Sequence, residues 1–226
     1  MMNELREYMD VLRECYLFRK MEEEVREAAV GELGGKVIGF DKGNIICHEG
    51  GRLEKLGIVL EGEVRVVRID LDGNERLFQK LSPSYMLGAD VVYTPTKEVP
   101  YSVYCSQDTK IWMFPWTEKV REGEGQEVWR EEIRRRLTEF IANENVRKFY
   151  RIDILSSKNV RTRVLKYLKI QCRKKNSNTV EIPYSREEFA NYLCVNRSVL
   201  SDELSKMEKE GLLTFKKNRF TLLKDL

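Results

Sequence analysis

The stretch SREEFANYLCVNRSVLSDELSKMEKEGLLTFKKNRFTL, residues 185–222, decides how the rest of the chain is read. Ser185 can accept from the amide of Glu188 while Glu188 reaches back, a capping box that opens a helix at about Arg186. Phe189, Ala190 and Leu193 share one apolar face, and Ala190 is small enough for a second helix to cross close by. Asn196 offers a new N-cap, Val199, Leu200, Leu204 and Met207 face inward, and Gly211 suits a left-handed C-cap. Leu213, Phe215, Phe220 and Leu222 then become two cross-strand pairs if Lys217 and Asn218 form the turn. The expected result is a helix-turn-helix followed by a two-stranded wing.

In that motif the second helix enters the major groove and the side chains at its N-terminus meet base edges. Ser185, Arg186, Asn196, Arg197, Ser198, Ser201 and Asp202 are therefore expected at double-stranded DNA, with Lys216, Lys217 and Arg219 at a wing tip suited to phosphates. A small C-terminal bundle with no ligand is the plainer reading. Charge speaks against it: Arg151 to Leu226 carries 17 Lys+Arg and 9 Asp+Glu, a balance of +8, whereas Met1 to Tyr150 carries 23 and 28, a balance of −5.

The 226 residues suffice for two modest domains, each with a core. Cys15, Cys47, Cys105, Cys172 and Cys194 are scattered without a C-x-x-C. An odd number without a secretory segment points to a reduced, cytoplasmic setting. No apolar run approaches the roughly 18 residues that span a bilayer, so no membrane is expected as partner. His48 is the single histidine, no serine or cysteine nucleophile stands beside a base, and there is no P-loop. The usual catalytic constellations cannot be assembled; neither an enzyme nor a metal site is expected.

Residues from Asn3 to about Val30 have helical periodicity in Leu5, Met9, Leu12, Tyr16 and Leu17. From Lys36 to Phe114 the period becomes two, in short runs cut by glycine, the pattern of a compact antiparallel sandwich or barrel. Asp72-Gly73 is its clearest hairpin signal. After Pro115 a long helix is expected from about Thr117 or Gln126 through Arg151, with Trp129, Ile133, Leu137, Ile141, Asn145 and Phe149 on one face and Phe140 beside it. That stripe must be buried against something. It can pack on its own sandwich, but its length points to a partner helix in a twofold homodimer, Asn145 fixing the register of the seam. Ser156 or Ser157 is expected to cap a further helix with Val160, Val164, Leu165 and Leu168 inward, ending near the polar loop 173–178. These boundaries give three parts: 1–116, 117–152 and 153–226.

This order of parts resembles the catabolite activator (Crp/Fnr) family of bacterial transcription regulators. The similarity is carried by GFDKGNIICHEG (39–50), GIVLEGEVRVVR (57–68) and, most specifically, YSREEFANYLCVNRSVLSDELSKMEKEGLL (184–213). It implies an α+β fold: an N-terminal antiparallel β-roll of the cyclic-nucleotide-binding jelly-roll type, a long dimerisation helix and a C-terminal winged helix-turn-helix. It also implies RNA polymerase as a partner if the regulator activates. Cyclic-AMP binders of the family carry a Gly-Glu and an Arg-Ser pair in the roll, where this chain has Gly88-Ala89 and Val99-Pro100. A cyclic phosphodiester needs a cation or a cluster of donors, so cyclic AMP is not the expected ligand. An iron–sulfur cluster needs several nearby cysteines, and only Cys15 lies near the N-terminus. Cys47 and His48, adjacent on a strand, point to opposite faces and do not grip one haem iron.

No cofactor is identified. An unknown small-molecule effector is expected, if any, between the roll and the long helix, with Gly88, Ala89, Asp90, Val99, Pro100, Tyr101 and Asn145 as candidate contacts within the wider segments 87–93 and 140–145. In the recognition helix the resemblance keeps Arg197 but replaces the family's Glu and Arg by Ser198 and Asp202. Arg197 is expected to read guanine, and Ser198, Ser201 and Asp202 to set a half-site unlike the family's best known one. Cys194 stands where this turn often has glycine. The other reading left by the residues is a sensor or scaffold of the same fold that acts through protein partners without DNA.

Overall fold

The computed structural model describes residues 2–116 and 128–223, and the chain splits into two compact units. One comprises Met1–Arg68 with Phe78–Asn145, the other Ile69–Leu77 with Val146–Leu226.

The first unit opens with α1 (Met2–Leu5), a 3-10 turn (Arg6–Tyr8), α2 (Met9–Glu14) and α3 (Glu23–Leu33). The lead-in is thus not one continuous helix. Cys15 turns extended at φ −62°, ψ 135°, and Lys20 is left-handed at φ 63°. That bend swings Leu17, Phe18 and Met21 into the core beside Leu5 and Leu12, whereas a straight helix would turn them to the opposite face. The strands follow: β1 (Lys36–Phe40), β2 (Ile45–Cys47), β3 (Lys55–Glu61), β4 (Val64–Ile69), β5 (Glu75–Leu81), β6 (Met86–Leu87), β7 (Ser102–Cys105) and β8 (Thr109–Pro115). They make two four-stranded sheets, ordered β1-β8-β3-β6 and β2-β7-β4-β5.

Alternation along β3 and β8 explains how one sheet serves two cores. Leu56, Ile58, Leu60, Trp112 and Phe114 face the N-terminal helices, whereas Val59, Ile111 and Met113 face the roll interior with Val64, Val66, Val99 and Val103. Tyr8 fastens helices to sheet: its hydroxyl donates to Glu61 at 2.6 Å and receives Lys110 Nζ at 2.8 Å. Burial, then the bond to Glu61, pushes its pKa up to about 12. The hairpin at Asp72-Gly73 is wider than a two-residue turn. Asp70 and Asn74 close it, the Asp70 carboxylate accepts from the amides of Asp72 and Asn74, and only Gly73 takes a positive φ.

The long helix α4 runs Val128–Leu155; its expected start at Thr117 or Gln126 lies outside the described residues. Trp129, Ile133, Leu137 and Phe140 are buried with the N-terminal helices in one cluster. Around them, Arg136 donates to the Arg19 carbonyl and Asn143 donates to the Tyr16 hydroxyl at 2.9 Å. The expected dimer stripe is corrected here. Trp129, Ile133 and Leu137 are buried in their own unit, Ile141 is half-buried against it, and only Asn145 and Phe149 of the stripe are exposed.

In the second unit α5 (Val160–Lys175), β9 (Thr179–Glu181), α6 (Arg186–Tyr192), α7 (Arg197–Lys209), β10 (Leu213–Lys216) and β11 (Arg219–Leu222) follow. The cap of α5 is Asn159, which accepts from the Thr162 amide at 2.8 Å; Ser156 and Ser157 instead donate back to the carbonyls of Ile152 and Asp153. Strand order is β10-β11-β9, with Leu213 opposite Leu222 and Phe215 opposite Phe220 as the spacing required.

Candidate nucleic-acid interface

The interface is built on an aromatic floor. Tyr167 of α5 packs against Tyr184, Phe189 and Tyr192 at ring separations of 6.2, 5.0 and 5.4 Å, and Phe189 meets Phe220 of the wing at 6.0 Å. On it sits α6, opened by the full capping box: Ser185 Oγ accepts from Glu188 N–H at 3.2 Å, and Glu188 Oε2 from Ser185 N–H at 2.8 Å. Ser185 therefore serves the helix with its side chain.

Two arginines fix the turn after α6. Arg163 donates to the carbonyls of Leu193 (2.9 Å) and Cys194 (3.4 Å), and Arg151 to those of Tyr192 (3.3 Å) and Leu77 (2.7 Å) while lying over the Tyr192 ring. Positive groups here complement the C-terminal end of a helix, where carbonyls lack intrahelical partners. Burial lowers the pKa of Arg151, and those carbonyls give its buried guanidinium hydrogen-bond partners. Cys194 has φ 55°, the left-handed geometry that glycine adopts without strain.

α7 starts after Asn196, which occupies the N-cap but makes no side-chain cap bond. Leu200, Leu204 and Met207 point into the core, and Gly211 ends the helix region at φ 68°. Arg197, Ser198 and Asp202 are exposed and Ser201 is half-buried. Val199 is a correction: placed inward by its periodicity, it stands 46% exposed. It lies one residue before the core stripe, and that step turns it about 100° toward solvent.

The wing tip is a turn with Lys217 at φ 55°, leaving Lys216, Lys217 and Arg219 exposed. Asn218 braces it by donating to Glu181 (3.2 Å) and to the Ile182 carbonyl (3.0 Å). Arg186 stacks over Phe215 and Phe220 and donates to the Lys217 carbonyl at 3.2 Å. Burial, then the positive charge of Arg197, lowers its pKa. Arg186 thus joins wing to helix, and its nearness to Arg197 concentrates positive charge at the start of α7.

Sequence reading missed Arg161. It takes Glu203 at 2.6 Å and both oxygens of Glu210 at 2.7 and 2.8 Å, and Glu210 first, then Glu203, raises its pKa. These acids are thereby neutralised on the flank of α7. A basic residue early in α5 carries no local sign of partners so far along the chain.

The candidate effector residues are not gathered in one place. Ala89 is buried in the cluster that faces the N-terminal helices, Val99 and Tyr101 in the roll interior, and Pro100 is exposed. Gly88 has φ 84°, and a Cβ there would meet Leu53 Cδ2 and the Lys55 carbonyl at 2.9 Å. One pair does meet: Tyr101 donates to Asp90 at 2.7 Å, and burial, then Asp90, raises the tyrosine pKa. Asn145 lies exposed on α4. An alanine, a valine and a proline present no cation or hydroxyl, and Asp90 adds negative charge. These residues do not fit a cyclic phosphate.

Residues 37–121 match the cyclic nucleotide-binding domain family, and residues 162–226 match the Crp-like helix-turn-helix domain. The chain belongs to the Crp/Fnr family of transcription regulators. No curated protein matches it. Among solved structures, this Crp/Fnr chain is similar to FixK2 from Bradyrhizobium japonicum, at 20% identity and TM-score 0.63 over 85% of this chain and 94% of that one. The c-di-GMP responsive global regulator CLP of Xanthomonas campestris aligns at 12% identity and TM-score 0.68, over 90% and 100%. The catabolite activator protein of Thermus thermophilus aligns at 20% and 0.53, over 92% and 93%. These likenesses establish the fold. Among the described residues of this Crp/Fnr regulator no group of three or more His, Cys, Asp or Glu could hold a metal, and no helix is long and apolar enough to cross a membrane.

Proposed function

We propose that the protein is a sequence-specific regulator of transcription that binds a twofold-symmetric DNA operator as a homodimer in the cytoplasm. The observation that carries this reading is the cationic edge of the winged unit: Arg197 at the exposed start of α7 and Lys216, Lys217 and Arg219 at the wing tip, beside flanking acids that Arg161 has neutralised. Arg197 is the guanine reader, with Ser198, Ser201 and Asp202 facing neighbouring bases and Asn196 at the edge of the groove.

The dimer seam is the exposed face of α4: Thr138, Ala142, Asn145, Phe149 and Ile152 recur at alternating steps of four and three, the coiled-coil spacing. Phe149 and Ile152 stand 69% and 63% exposed, and a second copy of the same helix covers them. Asn145 keeps its register-fixing place in this seam. The functional division is a sensor part at 1–116, a dimerisation part at 117–152 and a DNA-binding part at 153–226. Any effector of the roll is not cyclic AMP, since its candidate contacts offer no grip for a phosphate. If the regulator activates, RNA polymerase is its partner.

Selection of bound sequences from a random duplex pool, followed by a salt titration on the selected site, tests the reading. The expected outcome is an inverted repeat with half-site centres about 34 Å apart. Affinity should fall steeply with salt as counterions are released. A chain that retains no duplex at low salt would instead be a scaffold acting through proteins.

A further inference from the structure

The outward face of α7 holds two side chains whose chemistry is out of place on a merely solvated helix. Leu200, Leu204 and Met207 are completely buried, whereas Val199, the remaining aliphatic residue of the helix, stands out among Ser198, Asp202, Ser205 and Lys206, all exposed. The acids near the helix divide in the same way. Glu203 and Glu210 are held by Arg161, and Glu208 accepts the Phe215 amide at 3.3 Å. Asp202 is exposed as well, and it alone among them has no hydrogen bond or ion pair with the described residues.

An unpaired carboxylate on a helix that approaches DNA is repelled by phosphate. It is tolerable where it accepts a hydrogen bond from a base. In the major groove the exocyclic donors are cytosine N4 and adenine N6. On adenine the neighbouring N7 is an acceptor and opposes the second carboxylate oxygen; on cytosine the neighbour is a C–H edge. The only methyl group in the groove belongs to thymine. Val199 and Asp202 are three residues apart, so they stand side by side on the helix surface, about 5–6 Å between Cβ atoms. That spacing serves base pairs that are next to or nearly next to each other.

We propose that Val199 and Asp202 are a specificity pair that reads a thymine methyl and a cytosine amino group at neighbouring base pairs, beside the guanine read by Arg197. The inference rests on the reading of α7 as the recognition helix. It names the half-site chemistry that this reading leaves open.

The test uses the full chain and duplexes selected from a random pool, measured by fluorescence anisotropy. The wild type is expected to return a half-site with a guanine and an adjoining thymine–cytosine pair of positions. Replacing that thymine by deoxyuridine, which lacks only the methyl, should weaken wild-type binding about four-fold, the worth of one buried methyl group. It should leave Val199→Ala unaffected. Asp202→Asn should move the preferred base from cytosine to adenine, which asparagine contacts at N6 and N7, by about ten-fold or more. Both substitutions are at exposed positions, and an unchanged circular dichroism spectrum and melting temperature show that each variant is folded. If the chain retains no duplex at all, the recognition-helix reading falls and takes the pair with it. If it retains duplex but the half-site ignores both deoxyuridine and Asp202→Asn, the pair alone is overturned.

Discussion

The long helix α4 carries two apolar stripes of similar composition and opposite fate. In its first half Trp129, Ile133 and Leu137 are sealed inside the N-terminal unit, while in its second half Val146, Phe149 and Ile152 stand in solvent. Periodicity reveals an apolar face of a helix, but the partner of that face is set by what the rest of the chain brings to it. Here the bent N-terminal segment, with Tyr16, Phe18 and Met21, reaches the first stripe. The second stays exposed and belongs to the seam of the proposed homodimer.

Substitutions separate the two stripes most sharply. Leu137→Ala should destabilise the monomer by about 2–5 kcal/mol, the usual loss for a fully buried leucine, seen as a lower urea midpoint at any protein concentration. Phe149→Glu and Ile152→Glu should leave the stability of the isolated chain within about 0.5 kcal/mol. They should also abolish the dimer in sedimentation. The wild-type melting temperature would rise with concentration and that of Phe149→Glu would not, since only a seam that forms links stability to mass action. A Leu137→Ala chain that melts like the wild type would dissolve the contrast.

Where local chemistry suffices, the sequence was legible. The capping box of Ser185 and Glu188, the Lys217-Asn218 turn and the register of Leu213 with Leu222 all depend on neighbours within a few residues, and each forms as read. The roll was legible as alternation, but not the second core on the outer face of β3 and β8, because the helices that cover it are far along the chain. Val199 shows the limit of periodicity: at the border of an apolar arc, exposure is set by how deeply the helix sinks. The bracing arginines behind the interface were not legible, because their partners are distant in sequence. Arg151, Arg161 and Arg163 find their partners 30 to 74 residues away.

The second half of α4 is therefore tied to the helix-turn-helix by polar contacts rather than by its apolar stripe, and a smaller effect tests this. Arg151→Met keeps much of the side-chain volume but leaves the carbonyls of Leu77 and Tyr192 without this donor. It should cost about 1.5–3 kcal/mol, the range for a hydrogen bond to a charged group, measured by urea unfolding followed at the tyrosines of the winged unit. A neutral result would mean that the desolvation that already lowers the Arg151 pKa cancels its two bonds.

The smallest expected effect lies at the turn those arginines hold. Cys194 sits at φ 55° between α6 and α7, a conformation that costs an L-residue with a Cβ about 1–2 kcal/mol. Cys194→Gly removes that strain but adds backbone freedom to the unfolded chain, which takes back roughly 0.5–1 kcal/mol. The net gain should be under about 1 kcal/mol, a rise of a few degrees at most in melting temperature. The sign is the informative part. Arg163 and Arg151 bind backbone carbonyls, which glycine retains, and Arg76 lies against the Cys194 sulfur, which together with Asp70 raises the arginine pKa. If Cys194→Gly destabilises, that sulfur contact outweighs the strain, and the turn is held by its side chain as well as by its carbonyls. If it stabilises, the backbone alone carries the turn.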